Sequence, residues 1–545
     1  MTSSTQMSQQ TTNRVVIGVD VGTGSARAGV FSLSGELLGS AKKDISLFRA
    51  PGSMVEQSSA EIWDAVAYSV REAMRLAGAA PEQVAGIGFD ATCSLVVIGA
   101  DGKGLPVGDA DKPERDIIVW MDHRATEQAE RINATGHEVL RYVGGIISPE
   151  MEMPKLLWLK ENRPDTFNGA KYFFDLTDFL TWKASGSLAR SSCTVTCKWN
   201  YIEHEGRWDL GYLRLIGLGE LADDLSRIGE TIVTPGEALA DGLTAEAADK
   251  LGLLPGTPVA AGLIDAHAGG IGTVGVTGDA TENLAYVFGT SSCTMTTTAE
   301  PAFVPGVWGP YHSAMVPDRW LNEGGQSAAG AAIDHLLRLH PAYAETKAQA
   351  EKEGKPLNAW LGDKAIEAAN GSLSGVIDLV KGLHVVPEFL GNRAPHADPH
   401  ARAVIAGIGM EDDAASLVAL YVAGLFGLGY GLRQIIDVQA SQGVEIQRIV
   451  VSGGAAQSAL VRQVIADTTA KPVLAVRSQE PVLAGSAILG AVAGKCFDNI
   501  AAAMRAMTAL DVEITPASGD IAARHYLRYD AFQKLQALGR EIRTV

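Results

Sequence analysis

Near the start of the chain, Asp20 closes an apolar run, the turn Gly22-Thr23-Gly24-Ser25 follows at once, and Arg27 stands two residues on. A tight turn of Gly, Thr and Ser exposes backbone N–H groups and hydroxyls as a concave nest that suits phosphate oxygens. A carboxylate beside it can hold Mg²⁺ or its waters, and Arg27 can reach the same anion. An ordinary hairpin with an exposed aspartate would read the same way. What raises the first reading is repetition. LAYVFGTSSCTMTT, residues 284–297, is again an apolar run, a turn (Gly289-Thr290-Ser291) and a second extended run. Two such turns, one per half, predict two similar domains facing each other across a nucleotide.

Asp265 in GLIDAHAGG ends one apolar run and precedes a Gly-rich helix start. A carboxylate there is placed to take a proton from a substrate hydroxyl, as the base does in phosphoryl transfer; the alternative is a helix N-cap. His267 reads as a supporting or core histidine. In WMDHRA, Asp122, His123 and Arg124 lie beside Trp120. That grouping offers hydrogen bonds for the hydroxyls of a polyol and an aromatic face for its C–H side. Lys198, Trp199, Asn322, Glu323 and Gln326 are further candidates. No GxxxxGK[ST] loop is present. A GxGxxG spacing at Gly270, Gly272 and Gly275 lacks the following acid of a dinucleotide site, so it reads as close helix packing.

The elements that must position these groups are legible in outline. VVIGVD, SARAGVFSL and ELLGSAKKDISLF read as three strands. Ser58 and Glu61 form a capping box before the amphipathic EIWDAVAYSVREAMRLAG. VAGIGFDA reads as a buried strand, and SLVVIGADGKGLPV as another hairpin. Residues 115–235 look like an elaboration on the first domain, and the polar, helical residues 341–381 like an insertion. Residues 448–476 read strand, Gly-Gly turn, helix, strand, and SAILGAVAG closes the second domain. The charge-free run 414–432 is near the lower limit for a membrane span, but reads as a helix buried in a large protein. The net charge of -18 over 545 residues argues against nucleic acid and acidic membranes as partners. Five scattered cysteines read as reduced cytosolic thiols. Cys193 and Cys197 lie four apart, but no His/Cys set in the sequence completes a metal site with them. The polar first dozen residues read as a tail without a signal peptide, so the expected location is cytoplasmic.

These segments together resemble the FGGY family of carbohydrate kinases. The resemblance is carried by IGVDVGTGS, GFDATCSLVV, WMDHRA, YVGGIISPEMEMPKLLWLKEN, GLIDAHAGG, GTSSC, FVPGVWGPY, WLNEGGQSAAG and VSGGAAQS, and runs from about residue 14 to 530. It looks closest to the D-ribulokinase branch. It implies an α/β fold of two ribonuclease-H-like domains of the actin/hexokinase superfold, residues 14–272 binding sugar and 281–530 binding nucleotide, with a catalytic cleft between them. It implies ATP and Mg²⁺, with Asp265 as general base and Asp20 supporting the metal. Thr23, Gly24, Ser25 and Arg27, with Gly289, Thr290 and Ser291, would cradle phosphates. Gly453, Gly454, Gln457 and Ser458 would line the adenosine site, and Ala91, Asp122, His123, Lys198 and Glu323 the sugar site. Many relatives carry Asn where Gln457 and Ser458 stand, and Ala394 departs from a GxRSP-like pattern. The implied reaction is phosphorylation of the terminal hydroxyl of D-ribulose. Other pentuloses, pentitols or a regulatory ATP-binding role are the alternatives, and a homodimer is compatible with the reading.

Overall fold

The computed structural model describes residues 14–543, with the backbone alone at 455 and 456; the polar tail expected at the N-terminus lies outside the described residues. Val15–Val21 is buried at every position, as befits a central strand covered on both faces. It pairs antiparallel with Ser25–Ser32, which pairs with Leu37–Asp44, and parallel with Val84–Ala91, which pairs parallel with Leu263–Ile264. The spatial order is therefore third, second, first, fourth, fifth.

The second half repeats this order. Asn283–Phe288 pairs antiparallel with Ser292–Thr298, which pairs with Trp320–Gln326, and parallel with Arg448–Ser452, which pairs parallel with Val473–Val476. Trp308–His312 and Leu510–Ile514 extend the two edges to seven strands. The registers allow residue-by-residue comparison. Asp20 faces Arg27 and Asp90 across its neighbours. Counting back from the turn, the matching positions in the second half are Val287, Cys293 and Ser452.

The helix Pro481–Ala493 follows the last strand of the second repeat and packs on the first sheet. Its approach is backbone to backbone. A Cβ at Gly18 would lie 2.0 Å from the Leu483 carbonyl, at Gly88 2.0 Å from that of Ser486, and at Gly86 2.2 Å from that of Gly490. The helix Asp265–Val274 crosses it as closely: a Cβ at Gly272 would lie 2.0 Å from the Pro481 carbonyl, and at Gly485 1.9 Å from that of Ala268. Such distances admit no side chain, so the Gly-x-Gly spacing here serves packing, as expected.

Several local expectations shift. Ser58 caps the helix Ser59–Ala77, but Glu61 completes no box; its carboxylate binds Ser46 N–H and Oγ at 3.0 and 2.8 Å. Residues 94–107 form no true hairpin: Leu95–Gly99 is a strand, but its return arm is a single bridge at Gly104, and its partners are Ile117–Ile118 and Ala170–Asp175. Beyond the Ala-rich helix the chain adds a helix Ile500–Met507, the edge strand and the helix Gly519–Ile542. The charge-free run lies in helix Ala414–Ala440, which is long and apolar enough to cross a membrane; 78% of its apolar window is buried inside the fold.

Candidate active site

Three carboxylates converge where strands end. Asp20 and Asp90 are paired in register on adjacent strands, and Asp265 begins a helix directly after the third. Asp20 is 1% exposed, which removes the exposed-hairpin reading. Asp265 caps nothing: it is the first helical residue, and its Oδ1 accepts from the N–H of Ala266 at 2.8 Å. Burial, and then the charge of Asp20, raises the Asp265 carboxyl to about 6. The same two causes hold Asp90 well above the carboxylate range, against the hydrogen bond it accepts from Ser486.

Arg27 bonds Asp20 and reaches Glu480 at 2.9 Å, just ahead of the shared helix. The second oxygen of Asp90 is buried without a hydrogen-bond partner. Buried acceptors crowded on one side of a cleft call for a cation. Oxygen donors of this kind suit Mg²⁺, so the residues fit the implied metal.

The first turn is rigidly held. Gly22 N–H donates to the Ser25 carbonyl at 3.0 Å, and the Gln57 amide to the Thr23 carbonyl at 2.8 Å. The Trp120 indole N–H donates to Thr23 Oγ1 at 3.0 Å, so the Thr23 hydroxyl keeps its own proton to donate. Trp120 thus braces the turn through its N–H, a bond that leaves its ring faces uncommitted. Gly24 is exposed and a Cβ there would meet nothing, leaving the turn open to a ligand. The second turn is built alike: Gly289 N–H donates to Ser291, while the N–H groups of Ala329 and Ala331 bond Thr290. Gly453, with φ 91°, lies against the strand end before that turn; a Cβ there would sit 2.4 Å from the Phe288 carbonyl. Gly453 and Gln457 line one cleft with Arg462, Arg477 and Asp511. Gly454 is exposed beside it, and Ser458 N-caps helix Ala459–Thr469 through Val461 N–H.

Across the cleft, Lys198 and Glu323 come from different halves and stand 4.0 Å apart, each about nine-tenths buried. Burial opposes the Glu323 charge, but Lys198 and His267 outweigh it and bring the carboxyl down to about 2. Lys198 also lies 4.9 Å over the ring of Trp308, which has Arg393 on it at 5.8 Å. Ala91 is fully buried in register with Val21 and Ile264, so only its backbone is available to a ligand. His123 stands at the rim, half-exposed, 3.3 Å from Glu150.

Asp122 departs from its expected role. It is fully buried, and its carboxylate accepts from Val55 N–H at 2.6 Å and from Arg124 at 2.7–2.9 Å; Arg124 also binds Glu56. Its oxygens are committed to this network, so the sugar cannot use them without breaking it. Sequence reading also missed Asp90, although GFDA repeats the apolar-strand-then-Asp pattern of VGVD. Glu480 carries no local signal, and Trp308 and Arg393 lie in segments that carry the family resemblance but gain no role from it; only the fold brings them here.

Residues 15–272 match the N-terminal domain of the FGGY family of carbohydrate kinases, and residues 284–494 its C-terminal domain. An FGGY carbohydrate kinase domain-containing protein of Homo sapiens is 42% identical over 540 residues, covering 97% of each chain. A D-ribulokinase of Saccharomyces cerevisiae is 40% identical over 518 residues, covering 88% of this chain and 72% of that one. The crystal structure of xylulose kinase from Rhodospirillum rubrum superposes with a TM-score of 0.79 at 21% identity, over 97% of this chain and 99% of that one. With matches running through both repeats and into the turns and strand ends just described, the chain belongs to the FGGY family of carbohydrate kinases and is a phosphotransferase.

Proposed function

We propose that the chain transfers the γ-phosphoryl group of ATP to the terminal hydroxyl of a ketopentose, D-ribulose first, giving D-ribulose 5-phosphate. The observation that carries this is Asp265: a buried carboxyl at a strand end, raised to about 6, with the Lys198–Glu323 pair across the cleft. The choice of D-ribulose is supported by the 40% identity to the yeast D-ribulokinase.

The residues divide the work as follows. Thr23, Gly24 and Ser25 from one half, and Gly289, Thr290 and Ser291 from the other, donate hydrogen bonds to the phosphates. Gly453, Gly454 and Gln457 border the nucleoside. Lys198 and Glu323, a donor and an acceptor, orient sugar hydroxyls and exclude water. Asp265 accepts the proton of the attacking hydroxyl as its oxygen bonds to phosphorus. Mg²⁺ held at Asp20 and Asp90 would neutralise phosphate charge. Arg27, fixed by Asp20 and Glu480, keeps that carboxylate aimed.

The test is a coupled ADP-release assay over D-ribulose, L-ribulose, D-xylulose and ribitol. D-ribulose is expected to show the highest kcat/KM, by a factor of roughly 5 to 150 where one buried polar group goes unpaired with the wrong sugar. A better rate with another pentulose or pentitol would move the substrate and leave the kinase reading intact. No turnover with any of them would bring the regulatory reading forward.

A further inference from the structure

Cys193 and Cys197 sit one turn apart on the helix Ser192–Lys198, and His267 lies on the helix that Asp265 begins. All three are buried, and one ligand atom from each lies within 4.8 Å of the others. The sequence leaves the two cysteines without a third partner; the fold supplies one from 70 residues further on. Cys193 Sγ stands 3.1 Å from His267 Nδ1.

Zinc bonds of about 2.3 Å to sulfur and 2.0 Å to nitrogen set tetrahedral ligand atoms about 3.5–3.8 Å apart. The cluster brackets that spacing, and small side-chain rotations would reach it. A second observation points the same way. The other ring nitrogen of His267, Nε2, faces Glu323 Oε2 at 3.4 Å. Both atoms are buried without a hydrogen-bond partner, and a small rotation would let the imidazole N–H donate to the carboxylate, the bond that fixes tautomer and ring orientation in metal-binding histidines. The Ile264 N–H also faces Cys193 Sγ at 3.4 Å, a donor that favours thiolate. Two sulfurs and one imidazole select a borderline-soft cation over Mg²⁺.

We propose that Cys193, Cys197 and His267 form a binding site for one Zn²⁺-class cation, separate from the carboxylates at the strand ends. An ion there ties the helix ending in Lys198 to the helix beginning at Asp265, fixing two groups of the cleft relative to each other. This inference stands whichever sugar the protein takes.

The full chain, kept reduced and stripped with a chelator, is titrated with Co²⁺ as the spectroscopic probe. Sulfur-to-cobalt charge-transfer absorbance saturating at one equivalent is expected, with displacement by Zn²⁺ and a rise in Tm on loading. Cys193→Ser and Cys197→Ser should each weaken binding at least about tenfold. A chain with Cys93, Cys293 and Cys496 all changed to Ser should keep the spectrum. Absence of the absorbance in folded wild-type protein overturns the site without recourse to any variant. So does absorbance that survives loss of both Cys193 and Cys197, or that disappears with the other three cysteines.

Discussion

At the residue scale, the position of Asp265 between burial and the Asp20 charge would make the proposed base a titration marker as well. Asp265→Asn is expected to lower kcat by roughly 10²–10⁴-fold while leaving nucleotide affinity in place; turnover near wild type with saturating sugar would exclude the role. A base must be ionised, and its pKa is raised to about 6. Activity should therefore be full above that pH and fall as pH drops through it. For kcat the acid limb should lie lower than for kcat/KM, because a bound cation favours the carboxylate. Profiles of both against pH check the ordering. Asp122 calls for a different outcome. Its removal strips Arg124 of one of its two buried acidic partners and Val55 N–H of its acceptor, a loss on the order of 1–3 kcal/mol. Asp122→Ala should thus lower Tm markedly and leave the ratio of kcat/KM between D-ribulose and D-xylulose unchanged. A shifted ratio at unaltered Tm would restore Asp122 to the sugar site. WMDHRA shows the limit of local reading: the sequence displays three polar side chains but not that Asp122 turns inward to Val55 and Arg124.

At the scale of elements, the shared helix Pro481–Ala493 is held by glycines that leave no space. Gly88→Ala places a methyl 2.0 Å from the Ser486 carbonyl, a backbone atom that can yield only if the helix moves. Ser486 bonds Asp90, and Glu480 at the head of the helix bonds Arg27. Gly88→Ala should therefore reduce both Tm and kcat, while Gly24→Ala, which meets nothing, should leave Tm unchanged. Differential scanning calorimetry of the two variants separates the cases. Much at this scale was legible. The central strands read as apolar runs closed by turns, and the helix Ala459–Thr469 was announced by its Gly-Gly turn. What stayed hidden depended on distant partners. The arm at Gly104 makes one bridge because Leu95–Gly99 finds better partners at 117–118 and 170–175, and the C-terminal helix Gly519–Ile542 carries no strong apolar stripe to mark it.

At the scale of the molecule, the repeated hairpin was the sequence's clearest statement of architecture, and the two matching strand orders answer it. The cleft itself was less legible, since Lys198 with Glu323, and Arg27 with Glu480, are joined only when the halves meet. On the proposed roles of the two turns, one on each half, a single nucleotide would be gripped by the halves approaching each other. Sugar with a non-hydrolysable ATP analogue should therefore reduce the radius of gyration in solution scattering. An unchanged value with both ligands present would argue against closure.

The register match between the halves has an electrical consequence. Where the first repeat carries Asp20, Arg27 and Asp90, the second carries Val287, Cys293 and Ser452. The same strand order thus has a carboxylate-rich pole, where Asp20, Asp90 and Asp265 meet Arg27, and a neutral pole at the matching positions of the other half. Metal-free nucleotide should settle on the neutral side alone. A divalent ion bound at Asp20 would then draw the phosphate tail across to the acidic side, and the halves are expected to become chemically continuous only when the metal arrives.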